Sequence, residues 1–299
     1  MTKFKTWVSA ARLRTLPLSI AGILVGTALA RLEGYFSLPI FVLALLTTLG
    51  LQVLSNFAND YGDGVKGTDN EDRIGPMRAI QSGIISHQEM KVGMIVVSGF
   101  SLVMALFLIY TAFGIDKFLY SMLFFILGLA SIAAAIKYTV GKSAYGYRGL
   151  GDVFVFIFFG LVSVLGSHFL YVHSFDAFNL LPAISIGLLS AAVLNLNNMR
   201  DQESDAKAQK NTLVVFLGAA RAKKYHYTLI IVAFLGLVLF ILNARIYLLA
   251  WSLLGFIPLF THLKTVVQNT SPVLLDPELK KVALSTFAIA LLFLILSLL

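Results

Sequence analysis

An all-α fold is what this 299-residue chain predicts: a polytopic membrane bundle of nine transmembrane helices with a cytoplasmic-side polar cap. Three observations predict it. The chain is 58% hydrophobic and 13% charged, against about a quarter charged in ordinary soluble domains. Its apolar residues gather in runs of the length, about twenty residues, that carries a helix across a hydrocarbon layer of about 30 Å. Its basic residues fall almost entirely on alternate sides of those runs.

The crossings fall near 15–32, 38–58, 92–113, 118–137, 153–172, 178–197, 226–243, 246–263 and 281–299. Backbone in lipid must satisfy its own hydrogen bonds, and continuous apolar runs do so as helices, whereas barrel strands alternate. The first run follows Lys3, Lys5, Arg12 and Arg14 and ends at Ala28-Leu29-Ala30, which imitates a signal peptide. Cleavage there would remove a whole helix, so an uncleaved first helix is expected. The connection at 243–246 is so short that the seventh and eighth crossings must form a tight hairpin. With the amino terminus cytoplasmic, the outer loops hold only Arg31, Lys117 and Arg245 of the 23 Lys and Arg, a strong positive-inside bias. The +8 net charge therefore reflects topology and contact with anionic membrane lipid. No basic strip with interleaved aromatics speaks for nucleic acid. Residues 1–299 read as one domain.

The chemistry-bearing residues sit at two helix ends on the same, cytoplasmic side. The first cluster contains Asn56, Asn59, Asp60 and Asp63, followed by Asp69, Glu71 and Asp72; the second contains Asn197, Asn198, Arg200, Asp201, Glu203 and Asp205. Asn-x-x-x-Asp occurs in both, at Asn56/Asp60 and Asn197/Asp201. Asn56, Asp60 and Asp63 are spaced to share one helical face, as are Asn198, Asp201 and Asp205. Like charges one turn apart repel, more strongly where water is scarce, and a cation between them removes that cost. Oxygen ligands in two facing sets suit Mg²⁺, which takes one or two carboxylates plus substrate phosphates. Lys66, Arg73 and Arg78 lie near the first cluster, and Arg200, Lys207 and Lys210 near the second. Metal and cations together suit a diphosphate leaving group, and an apolar bundle behind them suits a long oily tail. A polyprenyl diphosphate combines the two.

Other chemistries are excluded or weakened. There is no cysteine, so thiolate catalysis and Cys-ligated metals are out. The five histidines show no ligand spacing. A cation-coupled membrane transporter is the alternative of another class, but transporters bind near the bilayer midplane, and no acidic residue lies midway along a predicted crossing.

The chain resembles the UbiA superfamily of intramembrane aromatic prenyltransferases, and within it the naphthoate-prenylating branch. The matching stretches are Arg14-Thr15-Leu16-Pro17-Leu18-Ser19, Asn59-Asp60-Tyr61-Gly62-Asp63, Lys66-Gly67-Thr68-Asp69, Gly75-Pro76-Met77-Arg78-Ala79, Tyr147-Arg148-Gly149-Leu150-Gly151-Asp152, Phe158-Phe159-Gly160 and Asn198-Met199-Arg200-Asp201. Three departures stand out: Gly67 where the superfamily carries a further Asp, Asp152 where the branch carries Glu, and Val140-Gly141-Lys142 where Gly-Gly-Pro is usual. The resemblance implies transfer of a polyprenyl group from polyprenyl diphosphate to 1,4-dihydroxy-2-naphthoate, releasing CO₂ and diphosphate and giving demethylmenaquinol for menaquinone biosynthesis. A different acceptor such as 4-hydroxybenzoate is the nearest alternative. It implies Mg²⁺ held by Asp60, Asp63 and Asp69 facing Asp201 and Asp205, with Asn56 and Asn198 orienting them. Asn59, Lys66, Arg78 and Lys210 would bind substrate. Tyr61, Tyr138, Tyr147 and Phe154 would line an allylic cation, and Arg148 or Lys142 would hold the acceptor carboxylate. A bacterial inner membrane, with the site loops cytoplasmic, is the implied location.

Overall fold

In the computed structural model, residues 2–69 and 74–299 are described; Glu71, Asp72 and Arg73 of the first cluster lie outside the described residues, as does the side chain of Arg14. No strand occurs among the described residues. A short amphipathic helix, α1 (Lys3–Ala10), leads into α2 (Leu16–Leu32), α3 (Leu38–Lys66), α4 (His87–Phe113) and α5 (Phe118–Lys137). Then come α6 (Gly151–Val172) and α7 (Ala177–Arg200), the short α8 (Gln202–Lys207) and α9 (Leu213–Leu217), and α10 (Ala219–Ala244), α11 (Tyr247–Gln268) and α12 (Pro272–Leu296).

Eight of these helices are long and apolar enough to cross a membrane, where the sequence leads one to expect nine. The difference is α2, whose 17 residues span about 25 Å at 1.5 Å each, at the lower limit for a crossing. Several helices also run past the expected ends. An apolar window stops where polar residues begin, but helices continue into the aqueous layer when capped. Ser86 and Glu89 close a capping box that starts α4 upstream of residue 92. The 29 residues of α3 reach about 43 Å, so its last turns, Asn59 to Lys66, stand beyond the hydrocarbon. Gly67, at φ +70°, ends it in the left-handed conformation. The expected tight hairpin is present: α10 and α11 are joined by Arg245 and Ile246, with Arg245 at φ +56°.

The largest core cluster joins α2, α7, α10, α11 and α12 through residues such as Val25, Ile186, Leu237, Phe256 and Ile289. Helix α6, which carries a π-helical stretch from Phe156 to Leu165, crosses α7 at very close range. A Cβ built on Gly160 would come within 2.6 Å of the Gly187 Cα. Without a hydrophobic drive between helices in lipid, such small-residue contacts supply the packing. The outcome is a cavity bounded by α2 to α7 and α12, apolar at depth and polar where α3 and α7 end.

Candidate active site

The end of α3 and the chain that follows α7 meet at one buried ammonium. Lys210 Nζ lies 3.4 Å from Asp63 Oδ2 and 3.6 Å from Asp205 Oδ1. The Tyr147 hydroxyl donates to the other Asp63 oxygen at 2.7 Å and is itself in contact with Thr68 Oγ1 at 2.6 Å. Burial opposes the Lys210 charge, but Asp63 and Asp205 more than offset it and raise its pKa above the usual lysine value. Burial pushes the Asp205 carboxyl up to about 6; Lys210 pulls against that rise and Asp201 and Asp63 reinforce it.

Asp201 is gripped from behind. Arg200, fully buried, donates from Nε and Nη2 to the two Asp201 oxygens at 2.8 and 2.6 Å, and from Nη2 to Asn197 Oδ1 at 3.0 Å. Its Nη1 pairs with Asp276 at the start of α12. A bidentate guanidinium fixes the plane of a carboxylate. The expected single helical face at Asn198, Asp201 and Asp205 does not form, because α7 ends at Arg200 and Asp205 belongs to α8. The break turns Asp205 towards Lys210.

On α3 the common helix does form, and it separates the roles. Asp60 stands about 60° around the helix from Asp63 and points to basic residues. Its Oδ1 accepts from Arg12 Nη2 at 2.9 Å and lies 3.4 Å from Arg78 Nη1, while Oδ2 accepts from the Ala79 backbone N–H at 3.2 Å. Asn56, Asn59, Asp63, Asp69 and Arg78 face the cavity, and Asp60 is not among its lining residues.

Opposite them Asp201, Asp205, Lys210 and Tyr138 also line it, so the structure brings together most of the residues the sequence singles out. It does not bring in five: Asp60, which is turned to the arginines, and the four that follow. Asn198 is buried away from the cavity and Asn197, 100° around the helix, takes its place. Lys66 is exposed, its ammonium 3.6 Å from the Tyr147 ring centroid. Lys142 and Arg148 are exposed and do not line the cavity: the short turn Tyr145–Arg148 directs Tyr145 inward and leaves Arg148 at its outer end. Of the proposed aromatic lining, Tyr138 and Phe154 are in place, joined by Tyr145 and Phe158; the Tyr145 and Phe154 rings stack at 3.9 Å. Sequence reasoning missed Arg12, which reads as part of a basic leader, and Arg200 as the holder of Asp201, although its place beside Asp201 was a usable signal.

Among the described residues no three acidic or histidine side chains converge closely enough to hold a metal ion by themselves. The donors still suit a hard cation that shares its coordination with a phosphate: carboxylate oxygens from both helix ends, and the buried Asn59 Oδ1, which has no hydrogen-bond partner.

The UbiA prenyltransferase family matches residues 19–273. The chain belongs to that family. Among UbiA relatives, the 1,4-dihydroxy-2-naphthoate octaprenyltransferase of Haemophilus influenzae is 46% identical, covering 97% of this chain and 95% of its own. The protein of the same name from Escherichia coli is 43% identical, covering 98% and 95%. In fold, the chain is similar to a UbiA homolog from Archaeoglobus fulgidus bound to GPP and Mg2+, with a TM-score of 0.67 at 18% identity over 96% of this chain and 98% of that one.

Proposed function

We propose that this chain transfers a polyprenyl group from polyprenyl diphosphate to 1,4-dihydroxy-2-naphthoate, releasing diphosphate and CO₂ and giving demethylmenaquinol for menaquinone biosynthesis. The observation that carries the reading is the convergence of Asp63, Asp205 and Lys210 at the mouth of an apolar cavity. The acceptor choice is supported by 46% and 43% identity, over nearly the whole chain, to two proteins named for that substrate. In this reading residues 1–299 act as one unit in a bacterial inner membrane, α2 makes a ninth crossing, and the polar cap is cytoplasmic, in contact with membrane lipid.

Asp63, Asp69, Asp201 and Asp205, with the Asn59 oxygen, would hold Mg²⁺. When bound, Mg²⁺ neutralises diphosphate charge as a Lewis acid. Arg12, Arg78 and Lys210 receive the remaining negative charge as it grows on the leaving group, so they favour the transition state over the ground state. Asp60 positions both arginines. The ester C–O bond breaks with its electron pair going to the diphosphate oxygen, and the allylic cation lies against Tyr138, Tyr145, Phe154 and Phe158. The ring carbon bearing the carboxylate attacks, and loss of CO₂ returns the electron pair to the ring. With Lys142 and Arg148 outside the cavity, we assign the acceptor carboxylate to Lys280, which lines it.

The test is turnover by purified protein with a prenyl diphosphate and each acceptor, read by product mass, for the native chain and Asp201→Asn. We expect prenylated naphthoquinol from the native chain and a loss of about three orders of magnitude in the variant. Near-native activity of Asp201→Asn, or preference for 4-hydroxybenzoate, would refute the reading.

A further inference from the structure

Below the diphosphate end, α3 places a carboxamide whose polarity the surrounding chain dictates. Asn56 Nδ2 donates to the Ala11 carbonyl at 2.9 Å, and Thr15 Oγ1 donates to the Arg12 carbonyl at 2.9 Å. Carbonyl oxygens only accept, so both directions are fixed. Asn56 Oδ1 must then be the acceptor facing Gln52, and it takes a hydrogen bond from Gln52 Nε2 at 3.3 Å. The Thr15 oxygen, its proton already committed, accepts from Gln52 Nε2 at 3.4 Å and Asn56 Nδ2 at 3.3 Å. Both amide hydrogens of Gln52 are thereby engaged. Its Oε1 is left buried without a hydrogen-bond partner, on a side chain that lines the cavity.

A buried acceptor left unmade carries its full desolvation cost, so a donor arriving there gains more than it would in water. The candidates narrow by chemistry. Diphosphate oxygens are acceptors and are repelled by Oε1; a prenyl tail has no donor. The aromatic diol is the substrate that carries O–H groups. The depth also fits: Gln52 stands about 16 Å below Asp63 along α3, a separation that the two side chains, the diphosphate head and one ring together span. The aromatic wall of Tyr138, Tyr145, Phe154 and Phe158 belongs to the same cavity.

We propose that Gln52 Oε1 accepts a hydrogen bond from a ring hydroxyl of the aromatic acceptor and selects for a free hydroxyl at that position. The proposal rests on the transferase reading and deepens it. The experiment compares the diol with its two mono-methyl ethers, the diol by KM and the ethers by inhibition constant, at saturating prenyl diphosphate. With the native chain, one ether should bind about three- to tenfold more weakly than the diol, the effect of one neutral hydrogen bond. In Gln52→Met the diol should weaken to match that ether, while the ether and the KM for prenyl diphosphate stay unchanged. A native chain that binds the diol and both ethers equally overturns the proposal without any variant. So does a Gln52→Met that weakens all three ligands alike, since that is the signature of a structural role. Failure of the native chain to prenylate any aromatic acceptor removes the transferase reading itself, a result distinct from the other two.

Discussion

Lys210 reaches Asp63 across 147 positions of sequence, with 3.4 Å between its ammonium and the carboxylate oxygen. That single pair ties the polar end of α3 to the chain that follows α7. It also sets one ammonium between two buried carboxylates, Asp63 and Asp205.

Removal of that cation has two separable effects. In Lys210→Met, Asp63 and Asp205 face each other unpaired, and breaking a buried pair costs about 3–5 kcal/mol. We expect turnover to fall at least about a hundredfold. We also expect Mg²⁺ to raise the Tm of the variant more than that of the native chain, because a divalent ion relieves the repulsion. Equal Mg²⁺ shifts would show that Lys210 does not balance these carboxylates.

Acid should weaken the metal requirement's grip in a predictable direction. Metal ligands must be deprotonated, and burial holds the Asp205 carboxyl up to about 6. Below that value the carboxyl is protonated and donates nothing to a cation; above it the site is competent. The Mg²⁺ concentration giving half-maximal turnover should therefore rise about tenfold per pH unit below 6 and stay level from 7 to 8. A requirement independent of pH between 5 and 7 would remove Asp205 from the ligand set.

Packing offers a prediction independent of chemistry. Gly160→Leu must push apart backbones that already meet at Gly187, a strain of about 1–3 kcal/mol or more. Gly99 on α4 faces open space, with nothing within 4 Å of an added Cβ. Thermal unfolding in detergent should show a lowered Tm for Gly160→Leu and an unchanged one for Gly99→Leu.

How far the sequence revealed this depends on which link carried the information. Hydropathy placed the crossings because lipid imposes length and composition directly, and the hairpin at Arg245 followed from the shortness of its connection. Helix ends were less legible: α4 begins at a capping box and α3 overshoots the hydrocarbon, both in polar sequence where hydropathy is silent. At the site, residue type indicated oxygen ligands and cations, but which side of a helix each faces depends on where helices break. The break after Arg200 aims Asp205, and the rotation of α7 about its own axis turns Asn197 rather than Asn198 to the cavity. Arg12 was hidden because a basic residue before the first apolar run has an ordinary topological explanation. Its pairing with Asp60 is visible only once α1 is folded against α3.

One wall of the cavity is a single helix thick. Phe124, Leu127 and Ser131 of α5 line the interior, while no residue of that helix's most apolar stretch is buried and Leu123, Phe125 and Ile126 point outward. In the transferase reading, that one helix would stand between a bound isoprenoid and the acyl chains around it. On that reading the stiffness and thickness of the bilayer would press directly on the compartment, and the fatty acids a cell makes would become part of the environment in which its quinone precursor is held.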